Sequence, residues 1–112
     1  MKLRNYQDKD EAAVVDLWQR ADLMQNPLKD ARKDIAFCLD GGHGEILVLE
    51  DKGEIVATAM LGQDGHRGWV YYVAVDPDRQ GQDLGRRIMR EAEDRLKAAG
   101  VPKVHLMVRG SN

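Results

Sequence analysis

WVYYVAVDPDRQGQDLGRR, residues 69–87, is the stretch of sequence that decides the fold. Its first seven residues are aromatic, β-branched or small, and they are apolar on both faces, which predicts a central strand buried on both sides. Asp76 and Pro77 end this strand, because proline has no N–H for a strand ladder. A helix is predicted over 84–99, because its apolar residues recur at four-residue spacing and Gly100 suits a C-terminal cap.

A strand pattern returns after this helix. Over 101–109 hydrophobic residues alternate with the remaining residues, which is the periodicity of a strand. The strand at 69–75, the helix at 84–99 and this last strand therefore form a crossover, and the two strands should be parallel neighbours. Upstream, apolar runs at 46–49 and 55–61 flank a turn at 51–53, which predicts an antiparallel hairpin. Residues 2–6 are predicted to form a short first strand.

Two helices are predicted between the first strand and the hairpin. The first spans 9–23 and the second runs from residue 29 to Gly41, and each has one apolar face. The expected core residues are Val14, Leu17, Trp18 and Ala21 in the first, and Ala31, Ile35, Cys38 and Leu39 in the second. The predicted order is β-α-α-β-β-β-α-β, an α/β (α+β) fold with a mixed sheet, flanking helices and one domain over 1–112.

Composition excludes several classes of protein. The 112 residues carry a formal net charge of −2, and the pI near 5.9 argues against general nucleic-acid binding. No apolar run has the length of a membrane span, and the charged N-terminal residues do not resemble a signal peptide. A lone cysteine, Cys38, allows no internal disulfide and fits a reducing cytoplasm, which is the expected location. The cysteine and histidines have no metal-ligand spacing, so no metal is expected.

The turn between the buried strand and the helix predicts an anion site. A helix N-terminus presents free N–H groups and the positive end of the helix dipole. Gly81 and Gly85 have no Cβ to hold a phosphate away, and positive charge comes from Arg79, Arg86, Arg87 and Arg90. The alternative is that these glycines serve only as a strand-to-helix turn. The spacing matches neither the P-loop nor the dinucleotide fingerprint.

Residues 80–85, QGQDLG, following AVDP at 74–77, resemble the coenzyme A motif of the GCN5-related N-acetyltransferase (GNAT) superfamily. The predicted segment order matches that fold through its fifth strand, so the resemblance covers essentially the whole chain. It implies that acetyl-CoA is the co-substrate and that an amine on a small molecule or peptide attacks the thioester directly. The cofactor-binding residues it implies are Val73, Val75, Gln80, Gly81, Gln82, Asp83, Leu84, Gly85, Arg86 and Asn112.

The sequence departs from the family pattern in two places. Asp83 stands where the family usually has glycine, and we expect its carboxylate to cap the following helix by accepting from the N–H of Gly85 or Arg86. The chain also ends where GNAT domains continue into a further helix and two strands. That helix often carries the tyrosine that protonates the departing thiolate.

Catalytic residues are harder to assign. No carboxylate lies in 66–75, so Tyr72 is the candidate to hold a water or face the acceptor, against a packing role in the sheet. His43 and His66 are expected on the surface, and His105 could belong to a water route. Acceptor contacts are expected from 23–28 and from Tyr72. The Cys38 thiol is expected to be buried rather than nucleophilic.

Two alternatives to catalysis remain open. One is a non-catalytic module that binds acetyl-CoA or another protein, because the acid-bearing helix is absent. The other expectation is that the exposed edge of the last strand pairs with a second copy and forms a homodimer. Neither nucleic acid nor a membrane is an expected partner.

Overall fold

A computed structural model describes residues 1–21, 31–40, 44–79, 81–101 and 103–106. These residues form five strands and three helices in the predicted order. The strands are β1 (Lys2–Asn5), β2 (Gly44–Asp51), β3 (Glu54–Gln63), β4 (Arg67–Val75) and β5 (Lys103–Leu106), and the helices are α1 (Glu11–Arg20), α2 (Ala31–Asp40) and α3 (Leu84–Ala98). Short 3-10 turns precede α1 at Asp8–Asp10 and follow β4 at Pro77–Arg79.

The strands form one mixed sheet in the order β1-β2-β3-β4-β5. Neighbours from β1 to β4 are antiparallel, whereas β4 and β5 are parallel because α3 crosses between them. The β2–β3 hairpin turns through Lys52 and Gly53, both with positive φ, which is the geometry that two-residue hairpins require. The predicted α/β (α+β) fold with a mixed sheet is confirmed.

The middle strand of the five is β3 rather than β4, although β4 is an interior strand with buried residues on both faces, as predicted: Val70 on the α3 side and Ala74 on the other. All seven residues from Ile55 to Leu61 are buried, whereas Trp69, Val73 and Val75 of β4 are only half-buried. The reason is topological: β4 stands fourth of five strands, next to the short β5. Within the described residues β5 is an edge strand, and its pairing with a second copy stays a prediction.

Two helical layers cover the sheet. Successive residues of a strand point to opposite faces, so in β2 Ile46 and Val48 pack under α1 and α2 while Leu47 and Leu49 pack under α3. This double burial explains why the strands read as continuous apolar runs. No helix among the described residues is long and apolar enough to cross a membrane.

Among the side chains that the structure describes, the helix faces agree with the predicted periodicity except at Leu39; Ala21 is partly buried, and the side chain of Ala31 lies outside the described ones. The buried faces contain Val14, Leu17 and Trp18 in α1, Ile35 and Cys38 in α2, and Leu84, Ile88, Ala92 and Leu96 in α3. Leu39 was expected in the core but is 37% exposed. The buried face of α2 is centred between Ile35 and Cys38, and Leu39 lies about 70° from that centre, at the margin of the face.

A buried hydrogen bond joins α1 to the sheet. The Trp18 indole Nε1 donates to Thr58 Oγ1 over 2.8 Å, and both side chains are fully buried. Trp18 therefore contributes both a large apolar surface and a fixed direction for α1 across β3.

Replacing Thr58 with valine keeps the side-chain volume but removes the acceptor used by the indole. We expect Thr58→Val to lower the free energy of unfolding by about 1–2 kcal/mol, measured by urea denaturation. A double-mutant cycle with Trp18→Phe separates the hydrogen bond from packing, with an expected coupling of about 1 kcal/mol. A coupling near zero would contradict this role.

Candidate functional site

The candidate site lies at the end of β4 that leads into α3. In β4, Ala74 pairs with Thr58 and Tyr71 pairs with Met60, which leaves Tyr72 and Val73 opposite the single residue Ala59. This is a β-bulge, and a bulge leaves backbone groups of the extra residue outside the ladder and increases the local twist. The bulge makes the β4 main chain irregular three residues before the strand ends.

On its other side, β4 pairs with β5 in parallel over the residues that the structure describes. The parallel ladder runs from Arg67 with Lys103 to Val70 with Leu106. Over the described residues, β4 beyond Val70 has no strand partner on that edge. The main chain of Val73 and Val75 lies in this stretch, while their side chains pack partly buried against the α3 side of the core. The side chains of these two residues therefore belong to the core, which leaves only their main chain for the cofactor contact that the resemblance implies.

Asp76 organises the turn that follows β4. Its N–H donates to the Val56 carbonyl over 2.8 Å, and its own carbonyl accepts from the Arg79 N–H over 2.8 Å. The carboxylate oxygen Oδ1 accepts from the Asp78 N–H at 2.9 Å and from Arg20 Nη1 at 3.0 Å. Both side-chain bonds, the Asp78 N–H foremost, hold the pKa of Asp76 below its usual value, although burial acts in the opposite direction.

Arg79 supports this turn instead of supplying the phosphate-binding charge that the sequence suggested. Its guanidinium pairs with Asp51 in the β2–β3 hairpin, and its Nη2 lies 3.7 Å from Glu54 Oε2. Because a neighbouring carboxylate already balances its charge, Arg79 fixes the turn against the hairpin. The sequence gives no indication of this pairing, since Asp51 precedes Arg79 by 28 residues.

The loop itself adopts left-handed backbone at two residues. Gly81 has φ +87° and its missing Cβ would meet open space, so the backbone conformation is what requires glycine. Asp83 has φ 59° and ψ 24° and makes no side-chain cap hydrogen bond, so the expected capping role was wrong. Capping side chains reach the first turn from extended backbone, which the left-handed conformation of Asp83 does not provide. Only its carbonyl contributes, accepting from the Arg87 N–H at 3.0 Å.

The first turn of α3 presents free donors. Within the described part of the chain, the N–H groups of Leu84, Gly85 and Arg86 have no hydrogen-bond acceptor. Gly85 serves packing here, since a Cβ on it would come within 3.3 Å of Val75 Cγ2. The absence of a Cβ at Gly85 therefore lets α3 approach β4, which differs from the phosphate access expected of it.

Positive charge surrounds these donors. Arg86, Arg87 and Arg90 are not buried, and none has an ion-pair partner among the described residues. Gln82 and Asp83 are exposed beside them. The start of α3 therefore combines free N–H groups, the positive end of a helix dipole and unpaired guanidinium groups, which suits a polyanion such as a pyrophosphate.

Several expected residues cannot be placed at this site. Gln80, Asn112, His43 and the acceptor segment 23–28 lie outside the described residues, as do the side chains of Tyr72 and His105. His66 is exposed in the turn before β4, at the opposite end of the strand, and it does not belong to the site.

Arg20 is the residue that sequence reasoning missed. It lies in the last turn of α1, where a basic residue is ordinary, and its partner Asp76 is 56 residues away. No spacing rule connects the two, because only the packing of α1 on the sheet brings them together.

Comparison with known proteins now identifies the family. The model of the Acetyltransferase (GNAT) family matches residues 11–112. The chain belongs to the GNAT acetyltransferase family. Over its whole length this GNAT chain is 42% identical to an acetyltransferase of Pectobacterium atrosepticum and 40% identical to one of Sodalis glossinidius, and it spans 79% and 78% of those proteins.

Solved GNAT structures have the same fold. The chain superposes with a TM-score of 0.81 on the ribosomal-protein-S18-alanine N-acetyltransferase of Escherichia coli, at 27% identity, covering 99% of this chain and 68% of that one. A Clostridium acetobutylicum protein, described as an acetyltransferase and solved with acetyl-CoA, gives 0.80 at 16% identity and coverage of 97% and 81%. Family membership supports acetyl transfer as the general activity.

The lowered pKa of Asp76 makes part of the stability pH-dependent. A carboxyl whose folded pKa lies below its unfolded value of about 3.9 contributes stability that is present above that value and lost as pH falls through the folded pKa. We expect Asp76→Asn to be less stable than the parent by about 1 kcal/mol at pH 7, a figure reduced for the partial exposure of Arg20. The difference should shrink toward pH 3 in urea unfolding. Asp94→Asn, an exposed carboxylate on α3, is the control, and a pH-independent difference for Asp76→Asn would contradict the assignment.

Proposed function

We propose that this GNAT chain binds acetyl-CoA at the β4–α3 turn and transfers the acetyl group to an amine. The observation that carries the proposal is the row of free N–H groups at Leu84, Gly85 and Arg86, which directly follows the left-handed Gly81 and Asp83. A relative in fold was solved with acetyl-CoA, and another is named an N-acetyltransferase, which agrees with this choice.

The proposed roles divide the cofactor between the turn and the strand. The N–H groups over 81–86 would hold the pyrophosphate, with Arg86 and Arg87 adding charge. The β4 main chain at Val73 and Val75 would pair with the amide groups of the pantetheine arm, in the way that an added strand pairs with a sheet edge. Gln80 and Asn112 remain proposed cofactor contacts.

The chemistry requires positioning more than a strong acid or base. Acetyl-CoA would supply an activated acetyl group when bound: the amine nitrogen, after losing one ammonium proton to a base or water, would bond to the carbonyl carbon as the carbon–sulfur bond breaks. A second proton lost from that nitrogen would convert the departing thiolate to the thiol. The β4 bulge can aim a main-chain N–H at the thioester oxygen, where negative charge develops. Tyr72 lies in that bulge and is the proposed residue on the acceptor side.

Isothermal titration with acetyl-CoA tests the binding step. We expect the double variant Arg86→Gln, Arg87→Gln to bind about tenfold more weakly and with less dependence on salt, because two unpaired charges near the pyrophosphate are lost. Lys97→Gln, an exposed charge at the far end of α3, is the matched control and should bind as the parent does. No binding by the parent at millimolar acetyl-CoA would contradict the proposed function.

Release of free thiol in the presence of an amine panel tests the transfer step. Turnover of any primary amine supports acetyl transfer by this chain. Tight binding without turnover would instead support the alternative, a module that binds acetyl-CoA without catalysis.

Asp83 offers a separate test of the turn. Asp83→Gly removes a carboxylate near the proposed pyrophosphate and relieves a left-handed conformation that costs a non-glycine residue about 1 kcal/mol. We expect acetyl-CoA to bind this variant as tightly as the parent or several-fold more tightly. Asp83→Asn removes the charge alone, so comparison of the two variants separates electrostatics from backbone conformation. Clearly weaker binding by both variants would contradict this account.

A further inference from the structure

The Arg20–Asp76 ion pair joins the end of α1 to the turn that leads into the proposed acetyl-CoA site. We propose that Arg20 is a positioning residue for the cofactor: through Asp76 it holds the β4–α3 turn in the shape that presents its N–H groups to the pyrophosphate. This inference rests on the proposed function and adds to it a residue outside the loop, on a different element.

The geometry of Arg20 is that of a bridge between two carboxylates. Its Nε donates to Asp16 Oδ2 at 2.9 Å within α1, and its Nη1 donates to Asp76 Oδ1 at 3.0 Å across to the turn. The Asp76 side chain is 11% exposed, whereas that of Asp16 is 64% exposed. The bond to the exposed Asp16 stays within α1 and contributes little, so the single charged bond to the more buried Asp76 is the one that joins Arg20 to the turn.

Asp76 transmits this constraint to the turn. The oxygen that accepts from Arg20 also accepts from the Asp78 N–H, and the Asp76 carbonyl accepts from the Arg79 N–H. Arg79 is held in turn by Asp51 on the β2–β3 hairpin. The 3-10 turn at Pro77–Arg79 is therefore held at both ends. Arg20 of α1 holds its start through Asp76, and the β2–β3 hairpin holds its last residue. Gly81 follows two residues later.

Loss of the pair should loosen the turn without unfolding the chain. Arg20 is exposed, and α1 is held on the sheet by Val14, Leu17 and Trp18, which are fully buried. When Arg20 is removed, the Asp76 carboxylate is free to rotate away from the Asp78 N–H toward solvent. The donors of the turn would then need to be ordered by the ligand, which lowers affinity.

Acetyl-CoA titration of three variants tests the proposal. We expect Arg20→Gln to bind about five- to tenfold more weakly, with a melting temperature within about 3 °C of the parent. Arg20→Lys keeps the charge and should restore affinity to within about threefold. Asp16→Asn removes the other partner of the same guanidinium and should bind within twofold of the parent. Arg20→Gln affinity equal to that of the parent would overturn the proposal.

A truncated ligand separates positioning from a general structural effect. S-acetylpantetheine has the thioester and the pantetheine arm but no pyrophosphate, so Arg20→Gln should leave its affinity within twofold of the parent value. Backbone amide resonances of Gly81 and Gly85 should shift in Arg20→Gln and not in Asp16→Asn. An equal loss of affinity for acetyl-CoA and for S-acetylpantetheine would mean that Arg20 has a general structural role and would overturn the proposal.

The outcomes distinguish this inference from the proposed function. If the parent fails to bind acetyl-CoA, the proposed function is wrong and this inference is wrong with it. If the parent and Arg20→Gln bind acetyl-CoA equally well, this inference alone is wrong. A combined Arg20→Gln, Asp76→Asn variant should bind acetyl-CoA no more weakly than the weaker-binding of the two single variants, because both changes break the same interaction. If the losses of binding free energy in the two single variants add fully in the double variant, the two residues do not act as a pair.

Discussion

The structure depends on burial of both faces of one sheet. Ile46 and Val48 of β2 point to α1 and α2, while Leu47 and Leu49 point to α3, so neither helical layer can be removed without exposing apolar surface. A sheet covered in this way has few accessible polar groups except at its strand ends. The turn after β4 is such an end, because the ladder with β3 ends at Val75 while the side chains of Val73 and Val75 remain partly buried in the core. Main-chain recognition is therefore possible where β4 passes into α3, as it also is along the edge strands β1 and β5 of the described sheet.

Free donors at that place are held in position by bonds made elsewhere. The N–H groups at the start of α3 have no partner within the described residues, and the backbone is left-handed at Gly81 and Asp83. A conformation that satisfies few of its own groups persists only when its surroundings determine it. Here the surroundings are Asp76, held by Arg20, and Arg79, held by Asp51, together with the close packing of Gly85 on Val75. Contacts made outside the row of free donors therefore support the turn.

Sequence periodicity predicted the element order, the buried faces of α1 and α3, and the location of the turn, because these depend on neighbours within a few residues. It failed where distant segments decide the outcome. The central position of β3 follows from strand order, the exposure of Leu39 from how α2 rests on the sheet, and the pairing of Arg79 from the hairpin. The prediction that Asp83 caps α3 failed for a different reason. Aspartate is a residue type that favours capping, but the left-handed backbone at Asp83 directs its side chain away from the first turn.

Charge pairing gives the turn its electrostatic character within an acidic chain. The formal net charge is −2, yet four arginines of the described structure, Arg4, Arg20, Arg79 and Arg95, are each paired with carboxylates. Arg86, Arg87 and Arg90 lack such partners within the described residues, so a local positive potential remains at the start of α3 where the helix dipole adds to it. Because the paired arginines contribute little field beyond their partners, net charge is a poor guide to what this surface attracts. An acidic chain can therefore carry unpaired positive charge at one place, provided that its carboxylates are paired with other arginines.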